Sequence, residues 1–135
     1  MERSEAPIIL MADDDADDRL LVSDAFRLTK GQARLHFVED GAELLKYLSE
    51  AVTLPSLILL DLNMPRKDGR QALKEIKLIP AFRDIPIVVL TTSLDKNDLK
   101  YCMETGAKHF ITKPARFKEW VEIMKSLSDT WLVAK

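Results

Sequence analysis

The sequence lacks the features that mark several classes of protein. Its single cysteine excludes a disulfide framework within the chain. It has no apolar run near the ~18 residues that a membrane span requires, and its first residues lack the basic-then-apolar pattern of a leader. Its 20 basic and 22 acidic residues give a net charge of −2, which argues against nucleic-acid binding. We therefore expect a reduced, cytoplasmic protein that binds neither nucleic acid nor a membrane.

Glycine is also scarce, and this bears on cofactors. The four glycines form neither a Walker A loop nor a G-x-G-x-x-G turn, so nucleotide binding has no support. The chain has 135 residues, of which 47% are hydrophobic and 31% charged, as is usual for one globular domain. No linker or low-complexity stretch divides it. We expect a single domain over residues 1–135, with its core at about 7–132 and no output domain.

Short apolar runs alternate with segments of helical periodicity. Apolar runs of this kind suit strands that are buried on both faces of a parallel sheet. The candidate strands are residues 8–12, 33–38, 57–60, 85–90 and 110–112. Five β-α repeats with right-handed crossovers predict an α/β, doubly wound, flavodoxin-like (βα)5 fold. Its five-stranded parallel sheet would have the order 2-1-3-4-5, with helices on both faces and a ligand site at the carboxyl ends of the strands.

The last predicted helix has a wide apolar face. Helical spacing centres this face near Phe117, Met124 and Trp131, with Ile123 and Leu127 toward one side. A face this wide is usually core, but exposed apolar surface also marks partner sites. We expect a homodimer that uses this helix together with the predicted fourth helix and fifth strand.

Acidic side chains follow two strands that neighbour each other in the predicted order. Asp13 and Asp14 follow the first strand, and Asp61 closes the third. Three converging carboxylates repel one another unless a cation is bound. Oxygen donors with room for water and a phosphate suit Mg²⁺ better than a caged Ca²⁺. We predict that Asp14 and Asp61 bind the metal directly, and that Asp13 does so directly or through water.

The other aspartates of the 13–18 run are assigned to the start of the first helix. Aspartate is a preferred N-cap residue, and negative charge in a first turn is favoured by the helix dipole. Asp15, Asp17 and Asp18 are therefore expected to act through helix capping and the dipole.

The fourth and fifth strands end in a hydroxyl and an ammonium group. Thr91 could donate a hydrogen bond to an anion, and Lys113 could offset the charge of the carboxylates. Carboxylates, a metal, a hydroxyl and a lysine together support phosphoryl transfer. A carboxylate can itself be the nucleophile and form an aspartyl phosphate. Asp61 is the best placed, because its strand is central in the sheet.

Taken in order, these residues resemble the receiver domain of two-component response regulators. The matching pieces are Asp13-Asp14, residues 61–69, Thr91 and Lys113-Pro114. The resemblance runs from Ile8 to about Leu132. Within the family, residues 90–93, residues 65–70 and the Trp131-Leu132 ending are most similar to stand-alone regulators that partner bacterial phytochromes.

The resemblance implies a role for each site residue. Asp61 would accept a phosphoryl group from a phosphohistidine on a partner sensor histidine kinase, here of the phytochrome type. Asp14, Asp61 and the backbone carbonyl of Asn63 would hold Mg²⁺, with Asp13 joining through water. Lys113 would contact a phosphoryl oxygen.

The resemblance also implies a switch. Thr91 would move toward the phosphoryl group and Phe110 would follow, which changes the face formed by helix four, strand five and helix five. The switch position is often tyrosine in the family, and Phe110 cannot make the hydroxyl hydrogen bond of tyrosine. Phe110 could instead be an ordinary strand residue packed against these helices. A cis peptide bond is expected before Pro114.

Three other functions stay open. A phosphatase of the haloacid dehalogenase type also uses aspartate, Mg²⁺, a hydroxyl and a lysine, but this chain lacks the second acidic pair after its fourth strand. A degenerate receiver would be a phosphorylation-independent binding module. A phosphorelay intermediate would pass the phosphoryl group on to a histidine phosphotransfer protein. We expect a phosphorylation switch rather than a turnover enzyme.

Overall fold

The predicted alternation of strands and helices is present. The structure is a computed structural model that describes residues 6–29, 31 and 33–132. The strands are β1 (Ile8–Ala12), β2 (Arg34–Val38), β3 (Leu57–Leu60), β4 (Ile87–Thr91) and β5 (His109–Thr112). The helices are α1 (Ala16–Arg27), α2 (Gly41–Glu50), α3 (Gly69–Leu78), α4 (Lys96–Thr105) and α5 (Phe117–Trp131). No helix in this described part is long and apolar enough to cross a membrane.

The sheet has the predicted order. Its strands all run parallel and lie in the order β2-β1-β3-β4-β5, which confirms the doubly wound, flavodoxin-like fold. The central strands β3 and β4 are buried along their whole length, because helices cover both of their faces. β4 begins at Ile87 rather than at Ile85, since Pro86 has no N–H group to donate to the ladder.

Apolar side chains fill the space on both faces of the sheet. On one face, α2, α3 and α4 pack against the sheet through residues such as Leu44, Leu73 and Cys102. On the other face, α1 and α5 do so through Val22 and Trp120. The helices are therefore held by burial of their apolar faces, and the carboxyl ends of all five strands open at one edge.

The core face of α5 differs from the predicted one. The stripe that meets the sheet runs through Trp120, Met124 and Leu127, at spacings of i, i+4 and i+7. Phe117 was expected near the centre of this face, but it lies beside the stripe at the first helical position and is 41% exposed. Leu127 was expected at the side, but it is buried. The predicted face is therefore displaced around the helix.

The loop after β3 is attached to the start of α2. The buried Asp40 side chain caps α2 by accepting from the Glu43 amide at 2.8 Å, and it also accepts from Arg66 Nε at 2.7 Å. The Gly41 amide donates to the Lys67 carbonyl at 2.8 Å. Burial favours a higher pKa for Asp40, but the Glu43 amide and the Arg66 guanidinium outweigh it and the pKa is lowered. This attachment fixes the segment that follows Asp61.

Candidate functional site

Three carboxylates meet at the carboxyl edge of the sheet. Asp13 follows β1, and its amide donates to the Val38 carbonyl at 3.0 Å. Asp61 follows β3, and its amide donates to the Ala12 carbonyl at 3.0 Å. One oxygen from each of Asp13, Asp14 and Asp61 lies within 4.8 Å of the others. Asp13 and Asp61 are buried, whereas Asp14 is exposed, so the cluster opens to solvent on one side.

Lys113 extends from the end of β5 into this cluster. Its Nζ lies 2.8 Å from Asp13 Oδ2, 2.7 Å from Asp18 Oδ2 and 3.4 Å from Asp61 Oδ2. The Lys113 side chain is only 6% exposed. Its backbone N–H donates to the Thr91 carbonyl at 2.8 Å, which fixes the lysine beside the end of β4. One buried ammonium group thus contacts three carboxylates.

The electrostatics follow from burial and from this ion pairing. Burial raises the pKa of Asp13 to about 6, although Lys113 and the Asp15 amide act to lower it. Burial alone would lower the pKa of Lys113, but its contacts with Asp13 and Asp18 outweigh burial and the net pKa is raised. Lys113 is therefore charged at neutral pH, and it neutralises only part of the negative charge around it.

The donor set fits a hard divalent cation. All of its ligand atoms are carboxylate oxygens, as Mg²⁺ prefers. Asp13 Oδ2 is buried without an aligned hydrogen-bond partner among the described residues, and its close contact is the Lys113 ammonium. Asn63 is exposed beside the cluster, and its backbone N–H group donates to Asp61 Oδ1 at 3.4 Å. Asp13, Asp14 and Asp61 could hold an ion that also contacts a phosphate.

The predicted switch residues lie on β4 and β5. Thr91 is fully buried, and its hydroxyl oxygen accepts from the Ser93 amide at 3.3 Å. Phe110 is partly buried and packs against the cluster that includes Cys102 and Ala107. The expectation of a cis bond before Pro114 is wrong, because the described residues contain no cis peptide bond.

One site contact was missed by reasoning from sequence. Asp15 is the N-cap of α1, and its side chain accepts from the amides of Asp17 and Asp18. Asp18 stands in the first turn, as expected, but its carboxylate also forms the 2.7 Å ion pair with Lys113. One side chain is enough to cap the start of a helix. The excess of aspartates in this run was therefore the sequence signal that one of them contacts something other than the helix start.

A second polar network holds the loop after β4. Arg70 of α3 donates from Nε and Nη2 to the two carboxylate oxygens of Asp98 in α4, each at 2.7 Å. The Ser93 hydroxyl also donates to Asp98 Oδ2 at 2.7 Å. The hydrogen bonds from Arg70, and then from Ser93, lower the pKa of Asp98. Such a bidentate pair fixes geometry as well as charge, so this network ties the start of α4 to α3.

We expect Asp98→Asn to lower the free energy of unfolding at neutral pH by about 1 kcal/mol, since Arg70 is one-third exposed and solvent screens part of the pair. A carboxyl group whose pKa is lowered by folding stabilises the protein above its unfolded pKa and loses that contribution as pH falls through its folded pKa. The difference between wild type and variant should therefore shrink in acid. Urea unfolding across this pH range measures it, with the exposed Asp129→Asn as the control. A stability difference between wild type and Asp98→Asn that is independent of pH would contradict the conclusion that ionised Asp98 pairs with Arg70.

Comparison with known proteins gives a consistent result. The family described as "Response regulator receiver domain" matches residues 9–125. The response regulator Rcp1 of Synechocystis sp. is 33% identical over 136 residues, covering 97% of this chain and 92% of that protein.

Solved structures agree with the sequence comparison. The phosphorylated cyanobacterial phytochrome response regulator RcpA has a TM-score of 0.90 and 34% identity, covering 97% of this chain and 98% of that one. The Mn²⁺-bound form of Rcp1 has a TM-score of 0.86 and 32% identity, covering 96% of each chain. Together with the fold and the acidic cluster, these matches show that the chain belongs to the response regulator receiver domain family of two-component systems.

Proposed function

We propose that this chain is a phosphorylation switch and that Asp61 is its phosphoryl acceptor. The supporting observation is the position of Asp61 between Lys113 and the carboxylates of Asp13 and Asp14, at the end of a central strand. An oxygen of the Asp61 carboxylate forms a bond to phosphorus while the bond from phosphorus to the histidine nitrogen of the donor breaks. The histidine keeps the electron pair of the broken bond, and the product is an aspartyl phosphate.

Charge balance determines the role of the neighbouring residues. Asp14, Asp61 and the Asn63 carbonyl would hold Mg²⁺, with Asp13 joining through water; when bound, the ion offsets charge on the phosphoryl oxygens. Lys113 supplies a second positive charge and needs only a small movement, since its Nζ is already 3.4 Å from Asp61. The Mn²⁺-bound form of the related Rcp1 supports a divalent ion here.

The response to phosphorylation passes through Thr91 and Phe110. The aspartyl phosphate carries about two negative charges, whereas the Asp61 carboxylate carried one. The Thr91 hydroxyl, which accepts from the Ser93 amide in this structure, turns to donate to a phosphoryl oxygen. The loop after β4 then rearranges and Phe110 changes position, which alters the surface of α4, β5 and α5. A bias of about 5.5 kcal/mol would move such an equilibrium from 1:99 to 99:1.

The partners follow from the family and from the exposed surface. The donor is a sensor histidine kinase, and the likeness to phytochrome response regulators favours a kinase of the phytochrome type. Leu99 and Met103 of α4 and Phe117 of α5 are each 41–43% exposed, which supports a homodimer through α4, β5 and α5. Receiver domains are typically not turnover enzymes, and we propose that this one acts in the cytoplasm as a single domain.

A beryllofluoride titration with Mg²⁺ tests the switch. In the wild type, we expect amide NMR shifts near Asp61 and across α4, β5 and α5, with a change in sedimentation toward the dimer. Thr91→Ala should keep the shifts near Asp61 and lose those at Phe110, because the hydroxyl that links the two is gone. Thr92→Ala, at the exposed neighbouring position, should behave as wild type. Full shifts at Phe110 in Thr91→Ala would contradict the relay.

A further inference from the structure

Lys113 is shared unequally among three carboxylates. Its contacts with Asp18 at 2.7 Å and Asp13 at 2.8 Å are close, whereas the contact with Asp61 is longer at 3.4 Å. The ammonium group donates hydrogen bonds to Asp18 and Asp61, whereas its contact with Asp13 Oδ2 is an ion pair without an aligned hydrogen bond. Asp13 and Asp61 belong to the acidic cluster, but Asp18 reaches the lysine from the first turn of α1.

Among the residues that the structure describes, Lys113 is the one partner of the Asp18 side chain. The capping side chain of α1 is that of Asp15, which accepts from the Asp18 amide at 3.2 Å. The Asp18 side chain is 20% exposed, and its carboxylate points inward to Lys113 rather than to a backbone group. Asp17, in the same turn, is exposed. Favourable interaction with the helix dipole is common to both residues, so only the lysine contact distinguishes Asp18.

We propose that Asp18 is a positioning residue for Lys113, which it holds on the α1 side of the pocket and so keeps from pairing fully with Asp61. The inference rests on the proposed function, because its consequences are for metal binding and phosphoryl acceptance. Without the Asp18 charge, the ammonium is left to Asp13 and Asp61, and its contact with Asp61 shortens. A divalent cation that binds the Asp61 carboxylate must then displace a Lys113 ammonium that pairs with Asp61 more strongly than in the wild type.

Metal affinity measures this competition without any phosphorylation. Mn²⁺ is a suitable probe because it shares the preference for carboxylate oxygen, and the EPR signal of the free ion reports its binding to the full chain. We expect Asp18→Asn to raise the Mn²⁺ dissociation constant about fivefold. This is the size of the effect when the charge of Lys113 moves from 3.4 Å to direct contact with the Asp61 carboxylate. Asp17→Asn removes the same charge from the same turn and should change it less than about twofold. Asp18→Glu keeps the negative charge and should bind Mn²⁺ with nearly the affinity of the wild type.

A double-variant cycle separates positioning from general charge. If Asp18 acts through Lys113, then Asp18→Asn and Asp17→Asn should have equal effects on Mn²⁺ binding once Lys113→Met is also present. Equal effects of the two asparagine variants in the wild-type background would overturn the inference. So would a specific Asp18→Asn effect that persists without Lys113.

Phosphorylation by acetyl phosphate adds an independent readout. Asp18→Asn should raise the Mg²⁺ concentration for half-maximal rate but leave the rate at saturating Mg²⁺ at or above that of wild type, because the lysine is then free to contact the phosphoryl group. A lower saturating rate with unchanged Mg²⁺ dependence would overturn the assignment. If the wild type gains no phosphoryl group from acetyl phosphate or phosphoramidate and does not bind beryllofluoride, the proposed function fails, while the Mn²⁺ cycle still decides the role of Asp18.

Discussion

Gly69→Ala should destabilise the protein by about 3 kcal/mol and prevent phosphoryl acceptance. A Cβ atom at Gly69 would lie 2.1 Å from the Asp61 carbonyl oxygen, 2.8 Å from Leu62 Cα and 2.9 Å from the Asp61 carbonyl carbon. All three atoms are backbone, so no side-chain rotation relieves the overlap. Either α3 moves away from the sheet or the backbone of Asp61 moves out of the acidic cluster.

Urea unfolding measures the stability loss in Gly69→Ala, and intact mass after incubation with acetyl phosphate and Mg²⁺ measures the functional loss. Gly31→Ala is the matched control, because the one described atom that a Cβ there would contact is Thr29 Oγ1, at 3.6 Å. That variant should keep wild-type stability within about 0.5 kcal/mol and should still be phosphorylated. A Gly69→Ala protein with normal stability and normal phosphorylation would show that the contact between α3 and Asp61 is looser than described.

Lys113→Met should have opposite effects on metal binding and on phosphorylation. Without Lys113, the buried Asp13 and Asp61 lose their neutralising charge, and we expect unfolding in the absence of metal to become easier by about 3 kcal/mol. The same loss removes the competitor for the carboxylate oxygens, so Mg²⁺ should bind more tightly than to wild type. The rate of phosphorylation at saturating Mg²⁺ should nevertheless fall about 100-fold, because one electrostatic contact to the phosphoryl oxygens is missing.

Three measurements check the Lys113→Met prediction: unfolding with a chelator, unfolding with Mg²⁺, and the rate of phosphorylation by acetyl phosphate. Added Mg²⁺ should stabilise the variant more than the wild type, since the stabilisation by a ligand increases with the logarithm of its affinity for the folded state. Lys118→Met, at an exposed position of α5, controls for loss of a surface charge. Weaker Mg²⁺ binding in Lys113→Met than in the control would contradict the competition between lysine and metal.

The fold was predictable because its signals are local. The runs at 8–12 and 57–60 are continuous and apolar, and β1 and β3 occupy those residues. The alternation of strands and helices then restricts the sheet order to few arrangements, and that order brings Asp13, Asp14 and Asp61 to one edge. The strand order places these carboxylates close together, and the alternation of strands and helices in the sequence is enough to predict that order.

The remaining details depend on how each helix is rotated against the sheet. Phe117 and Leu127 are both apolar and nearly share a helical face, so the sequence does not determine which of them is buried. Asp18 is one of several aspartates at a helix start, and only the packed orientation of α1 directs its carboxylate to Lys113. These are tertiary properties, and residue type and spacing alone do not specify them.

The central claim is that Asp61 accepts a phosphoryl group, and intact mass spectrometry tests it most directly. The full chain is incubated with acetyl phosphate and Mg²⁺, beside Asp61→Asn and a sample with chelator. The prediction is a gain of one phosphoryl group in the wild type, and none in Asp61→Asn or without metal. A gain that persists in Asp61→Asn would contradict the claim, as would a wild type that gains nothing from acetyl phosphate or phosphoramidate and does not bind beryllofluoride.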